Sequence, residues 1–180
     1  MRRKNTTSET MMGYLAEGLL ALLKDKSYEE ITIGEIARKA GVNRSTYYRH
    51  FRTKEDVVRY YLDSIMVEYQ EKFVQRKSQE FSEYLLTMFQ TFYSHREHLI
   101  LLHRAGLTAC LLDVLWRQFQ FEKLVSQADT EQAYRVSYHM GGIYHNLLLW
   151  FSREMRESPE EMTKTALSSP LDMEFTLFHI

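Results

Sequence analysis

What this 180-residue sequence lacks narrows its class before any motif is read. Cys110 is its one cysteine, so no disulfide can close within the chain, and nothing points to an oxidising compartment. The only prolines, Pro159 and Pro170, fall near the end, and nothing ahead of them interrupts long helices. The longest apolar runs, "LLALL" and "LLLWF", fall far short of the ~18 residues that a membrane span needs. The opening "MRRKNTTSET" is basic with no apolar segment behind it, so no secretory signal is expected. The expected compartment is cytoplasmic, with no membrane partner. No strand pattern or internal repeat stands out. Also missing are a phosphate-cradling glycine loop, an H-E-x-x-H pair and a second cysteine. His95, His98 and His103 lie close in sequence, with His139 and His145 further on, but a helix break is expected between His98 and His103. They read as surface or core histidines, and Cys110, inside the apolar "LTACLLDVL", reads as packing. The expectation is a protein that is not an enzyme, with no cofactor and no metal.

The formal charge of −1 points to no polyanion, but its distribution is uneven. Residues 1–60 carry 12 Lys/Arg against 8 Asp/Glu, and the remaining 120 carry 11 against 16. A basic head on an acidic body can turn one face to a polyanion. Apolar residues recur at three- and four-residue steps nearly throughout, which predicts an all-α fold of about nine helices. The first carries Met12, Leu15, Leu19, Leu22 and Leu23, behind a "TTSE" capping box at Thr6 to Glu9. Thr32 and Glu35 form a T-x-x-E box, with Ile31 and Ile36 placed to staple the entry, and that helix stops at Gly41. Asn43 follows as the next cap, with Val42 and Tyr47 in staple positions. Thr53 caps a fourth, longer helix with Glu55 and Asp56 in its first turn, where carboxylates suit the helix dipole. Two short helices joined by a glycine turn, then a long one, form a helix-turn-helix pattern. Further helices are expected near 80–94, 96–105, 107–125, 130–156 and 159–167. The last starts at Ser158-Pro159-Glu160-Glu161, a cap with proline at the first helical position.

The third helix, within "GVNRSTYYRHF" at residues 41–51, carries the functional reading. With Asn43 as cap, Tyr47 and Phe51 fall four apart and join Val42 toward the core. Arg44, Ser45, Tyr48, Arg49 and Arg52 take the other side. Arginine can fork onto guanine O6 and N7, and hydroxyls can reach bases or phosphates. The N-terminal residues of a groove-bound helix lie nearest the base edges, which favours Arg44, Ser45 and Thr46 as readers. Tyr48, Arg49, His50 and Lys54 lie further along and suit the DNA backbone. The first amides of the second helix, near Thr32, offer a phosphate clamp.

Residues 31–58, "ITIGEIARKAGVNRSTYYRHFRTKEDVV", resemble the N-terminal DNA-binding domain of TetR-family transcriptional regulators, and the likeness extends over residues 10–60. It rests on the isoleucine–threonine entry, the alanine–glycine turn, the aromatic pair before His50-Phe51, and Lys54-Glu55. The resemblance implies a helix-turn-helix domain at 1–55 and a helical regulatory and dimerisation domain at 56–180. By it, Thr32 is the phosphate-binding cap, Arg44, Ser45, Thr46 and Arg49 read bases, and Tyr48, His50 and Lys54 touch the DNA backbone. Gly34 stands where some members carry a side chain that reaches DNA, so that contact is expected to be lost.

A fainter likeness in the body rests on "GGIYHNLLLWF" and "SPEEM". Within 130–156, Ala133, Val136, Met140, Ile143, Leu147 and Trp150 follow a coiled-coil-like seam, while Tyr134, Tyr138, Leu148 and Phe151 add apolar surface on other faces. The expectation is a homodimer with contacts at Ile143, Leu147, Trp150 and Met162. Gly141-Gly142 permits a close approach or a kink. For an effector pocket of the kind the family keeps, Tyr93, His103, Trp116, Tyr138 and Tyr144 are the candidate lining residues. The implied partners are double-stranded operator DNA, a second copy of the chain, and a small-molecule effector or a partner protein. The implied function is a homodimeric repressor modulated by an effector. A TetR-like coactivator working through a partner protein is the alternative.

Overall fold

The structure is a computed structural model that describes residues 3–168 apart from Lys77, Gln79 and Ala128, with the backbone alone for residues 3–7, Leu124 and Val125. The tail from Pro170, expected to be apolar enough to dock, lies outside the described residues. Those residues form ten helices and no strand: α1 (Arg3–Leu23), α2 (Ile33–Lys39), α3 (Arg44–His50), α4 (Lys54–Val74), α5 (Phe81–Ser94), α6 (Arg96–Arg104), α7 (Ala109–Gln118), α8 (Phe121–Gln127), α9 (Thr130–Ser152) and α10 (Pro159–Leu167).

α1, α2 and α3 pack with the start of α4 to make the head. The rest of α4 runs into the body against α5 and α7, so the expected boundary at residue 55 falls in the first turn of one continuous helix. The α4 residues Val57, Val58, Leu62, Ile65, Met66 and Tyr69 are all buried, and head and body share one apolar cluster. In the body α10 lies on α5, and α9 lies on α6 and α8. The stripe Leu15, Leu19, Leu20 and Leu23 seats α1.

Local signals account for most helix ends. Gly41 has φ +70°, and the amides of Gly41 and Val42 reach back to Arg38 O (3.1 Å) and Ala37 O (2.9 Å). These two bonds form a Schellman closure of α2. Ser158 and Glu161 form a complete capping box with Pro159 in the first turn of α10. Four expectations need correction. α6 runs unbroken from Arg96 to Arg104, so no break separates His98 from His103. Thr6 to Glu9 lie inside α1, because the helix is already formed at Arg3. The helix expected at 107–125 breaks into α7 and α8 where Gln120 takes φ +49°. That turn brings the Trp116 and Phe121 rings to 3.6 Å between centroids and buries Phe121. α9 stops at Ser152, short of the expected 156, in a second Schellman closure: the amides of Glu154 and Met155 bond Phe151 O (3.0 Å) and Trp150 O (2.8 Å). Glu154, at φ +61°, holds the left-handed position there so that the Met155 side chain can enter the core.

The two kinds of glycine predict opposite outcomes. Gly41→Ala forces a Cβ into the left-handed region and is expected to lower unfolding free energy by about 1–2 kcal/mol. Gly13, whose Cβ would meet nothing, is expected to gain up to about 1 kcal/mol as alanine. Urea melts of the two variants check the sign at each position.

Candidate nucleic-acid interface

α3 is only seven residues long, too short to hold its shape alone, and two rings fix it. Tyr47 is fully buried and Phe51, its C-cap, nearly so. Burying each ring stabilises the head by about 1.5–3 kcal/mol. The Tyr47 hydroxyl donates to Thr53 O at 2.7 Å, which ties α3 to the cap of α4. Phe51 meets the Tyr60 ring at 5.7 Å, and the Tyr60 hydroxyl donates to Glu9 O at 3.1 Å, so α1 joins the same assembly. Asp56 completes the frame by accepting from the amides of Arg52 and Thr53, each at 2.9 Å. Burial opposes its ionisation, but those donors outweigh burial and hold its pKa below the ordinary value.

With those anchors set, the opposite face of α3 is open. Arg44, Ser45, Tyr48 and Arg49 are exposed, and Thr46 and His50 are half-buried. Arg44 lies along its own helix: its guanidinium donates to the Tyr48 hydroxyl at 3.1 Å and sits 5.5 Å from the centre of that ring. His50 turns toward α1, its Nδ1 lying 3.4 Å from Ser8 Oγ. Asn43 has the extended backbone of a cap, but its side chain makes no capping bond, so α3 relies on its rings more than on its first residue.

At the start of α2, Thr32 and Glu35 form the expected reciprocal box. Thr32 N and Oγ1 donate to the Glu35 carboxylate at 3.0 and 2.9 Å, and Lys26 Nζ adds a third donor at 2.6 Å. The lysine bond first, and then the two Thr32 donors, hold the Glu35 pKa down to about 2. Both Thr32 donors are therefore engaged within the protein, and the amides of Ile33 and Gly34 remain as the first-turn donors without intrahelical acceptors. A Cβ at Gly34 would meet only Thr32 Oγ1, at an ordinary contact distance of 3.9 Å.

Lys54 departs from the sequence expectation. Its ammonium donates to Tyr28 O at 2.6 Å and Ile31 O at 2.8 Å, reaches Glu29 O at 3.5 Å, and lies 4.3 Å from the centre of the Tyr28 ring. An ammonium has three donors, and carbonyls of the α1–α2 loop take all three. In this structure Lys54 is an internal latch, its ammonium turned to the loop and not outward.

The body also corrects the reading. Ile143, Leu147 and Trp150 are buried inside the protomer, so they cannot face a second chain, and Met162 packs partly buried against the same core. Trp150 stacks on Tyr93 and meets Phe89 edge-on. The exposed stripe of α9 lies on another face, where Tyr134 is 65%, Tyr138 82% and Leu149 59% exposed. Gly141, Gly142 and His145 lie along the same stripe and border a shallow recess of about 380 Å³ with Tyr134 and Tyr138. Spacings of four, three, one, three and four residues from 134 to 149 carried that signal, but a second stripe of the same period ran beside it.

The five candidate effector residues do not converge. Tyr93 is committed to Trp150 and Arg96, His103 packs against Phe151, Trp116 covers Phe121 at the surface, and Tyr144 lies edge-on to His145. Tyr138 borders the recess on α9 and the groove beside α10. His95 and His98 are tied into the protein as well. Their Nδ1 atoms lie 3.1 and 2.8 Å from the Tyr61 hydroxyl, and His95 Nε2 lies 2.7 Å from Glu68. Among the described residues no three His, Cys, Asp or Glu side chains gather as metal ligands. No described helix is long and apolar enough to cross a membrane.

The sequence profile of the tetR family of bacterial regulatory proteins matches residues 16–61, the span from α1 into α4. No curated protein matches the sequence. Among solved structures, the fatty acid degradation regulator FadR from Bacillus halodurans superposes with a TM-score of 0.58 at 15% identity, over 86% of this chain and 91% of that one. A tetR-family transcriptional regulator from Streptomyces coelicolor superposes with a TM-score of 0.55 at 21% identity, over 87% of this chain and 78% of that one. At these identities the likeness is one of fold.

Replacing Lys54 tests its corrected role. Lys54→Met leaves two or three loop carbonyls without their donor and is expected to cost about 1–3 kcal/mol of stability, read as a lower urea midpoint. An unchanged midpoint would contradict the latch.

Proposed function

We propose that this chain, whose residues 16–61 match the tetR-family profile, is a transcriptional regulator of that kind: a homodimeric, effector-modulated repressor that binds operator DNA through α3. The observation that supports the reading most is the division of α3 into a buried side, Tyr47 and Phe51, and an exposed side, Arg44, Ser45, Tyr48 and Arg49. A helix so divided can enter the major groove with its N-terminal residues at the base edges. In this reading Arg44, Ser45, Thr46 and Arg49 read bases. Tyr48 and His50 contact phosphates, and the α2 amides beside Thr32 add one more phosphate contact. Tyr48 has a second task, since it holds the Arg44 guanidinium along the helix before DNA arrives.

One short helix reads too few base pairs for specificity, and two held about 34–36 Å apart read a palindrome. The exposed stripe of α9 supplies the surface for the second copy. A two-fold axis across it sets each tyrosine pair against the gap left by Gly141 and Gly142, where no side chain keeps the helices apart. An effector that prefers one spacing of the two heads shifts operator affinity.

Gel-shift or anisotropy titrations of purified protein against its own upstream DNA, at several salt concentrations, test the central claim. Specific binding survives competitor DNA and weakens steeply with salt. Arg44→Ala is expected to lose about 1–3 kcal/mol of discrimination between the operator and scrambled DNA while its melting curve stays in place. Equal losses on both DNAs would remove Arg44 from base reading. For the dimer, Tyr138→Asp is expected to yield a folded monomer by sedimentation, with operator affinity down by roughly tenfold or more. Ile143→Asp is expected to unfold the protomer instead, and a folded Ile143→Asp monomer would restore the first assignment of the interface.

A further inference from the structure

Between α5, α9 and α10 lies a groove of about 440 Å³, within the range of small-molecule sites. None of its nine lining residues is charged, although 26% of the chain is. Leu85 lies at its base, and Phe81, Tyr138 and His139 supply rings. Phe81 and Tyr138 are 50% and 82% exposed, so both carry aromatic surface that the protomer leaves uncovered. The His139 ring lies 5.0 Å from Phe81 and 6.1 Å from Tyr84. Burial lowers its pKa below the ordinary 6.5, so the imidazole is neutral at neutral pH. Among the described residues its ring nitrogens meet no hydrogen-bond partner. Asn146 and Thr165 add neutral polar groups from facing helices.

We propose that this groove is the effector site, and that it takes a neutral, flat, ring-bearing molecule of one or two rings that stacks on Phe81 and Tyr138 and hydrogen-bonds to His139. The lining favours neutral molecules: it holds no charged side chain, so a carboxylate or ammonium seated there meets no countercharge. Aromatic walls favour a planar ligand by offset or edge contacts. The location also supplies regulation. Tyr138 and Gly142 border both this groove and the recess on the exposed face of α9. A molecule seated in the groove therefore touches the tyrosine that the second protomer touches, and the heads move apart or together as that contact is remade. The inference rests on the effector-modulated dimer proposed above.

Two fluorescent probes that share a ring system test it on the full chain without DNA. Neutral 7-methoxycoumarin is expected to bind saturably, one per protomer, and its 3-carboxylate at least about tenfold more weakly. Thr165→Trp, at an exposed position on the rim, fills the groove. His139→Phe keeps a ring and removes the nitrogens. Each is expected to weaken the neutral probe at least about tenfold with the melting temperature unchanged. Failure of the neutral probe to bind, equal affinity for both probes, or binding indifferent to both substitutions would overturn the proposal. So would affinity that falls as protein concentration rises, which assigns the groove to the second copy. Binding that appears only in Phe175→Asp would overturn it too, by assigning the groove to the chain's own terminus. Because no DNA is present, a protein that binds operator but no probe refutes the groove alone. One that binds probe but no operator refutes the operator reading.

Discussion

The open face of α3 exists because Tyr47 is held at both ends of its side chain. Its ring is enclosed by the head, and its hydroxyl donates to Thr53 O, the residue that caps α4. A seven-residue helix has too few internal hydrogen bonds to persist in water, so its orientation is lent to it by that one side chain and by Phe51 next to it. Remove the anchor and the arginines remain in the sequence with no fixed direction. The polar face of α3 is therefore a consequence of what its apolar face does.

The same economy links head to body. α4 begins at a cap that Tyr47 touches and continues for 21 residues into the apolar cluster of the body. Lys54 binds its first turn to the α1–α2 loop, and the Tyr61 hydroxyl meets both His95 and His98 at the start of α6. No flexible joint separates the two ends of this helix. A continuous helix packed at both ends is the kind of element that the proposed effector control of DNA binding needs.

Much of the head was legible in the sequence because its signals are local. The Thr32–Glu35 box, the Thr53 cap and the left-handed Gly41 each depend on residues within five positions of one another. Lys54 was not legible: its side chain can turn outward to a phosphate or inward to three carbonyls, and only the placement of the α1–α2 loop chooses. In α9 two apolar stripes share one helical period, so pattern alone could not say which one packs inside. Packing within the body settles it: α9 lies on α6 and α8, the α5 rings of Phe89 and Tyr93 meet Trp150, and Ile143, Leu147 and Trp150 are buried. The stops at Gln120 and Glu154 were hidden for a different reason: neither is glycine, and long-range burial of Phe121 and Met155 pays for their left-handed backbone.

The sequence by itself determined the all-helical class, the caps of α2, α4 and α10, the helix-turn-helix and which rings of α3 turn inward, because each follows from spacing along one helix or from contacts a few residues apart. Tertiary structure alone decided the direction of Lys54, the buried face of α9 and the neutral groove beside α10. Those depend on which surfaces meet, and residues far apart in the chain make that choice together.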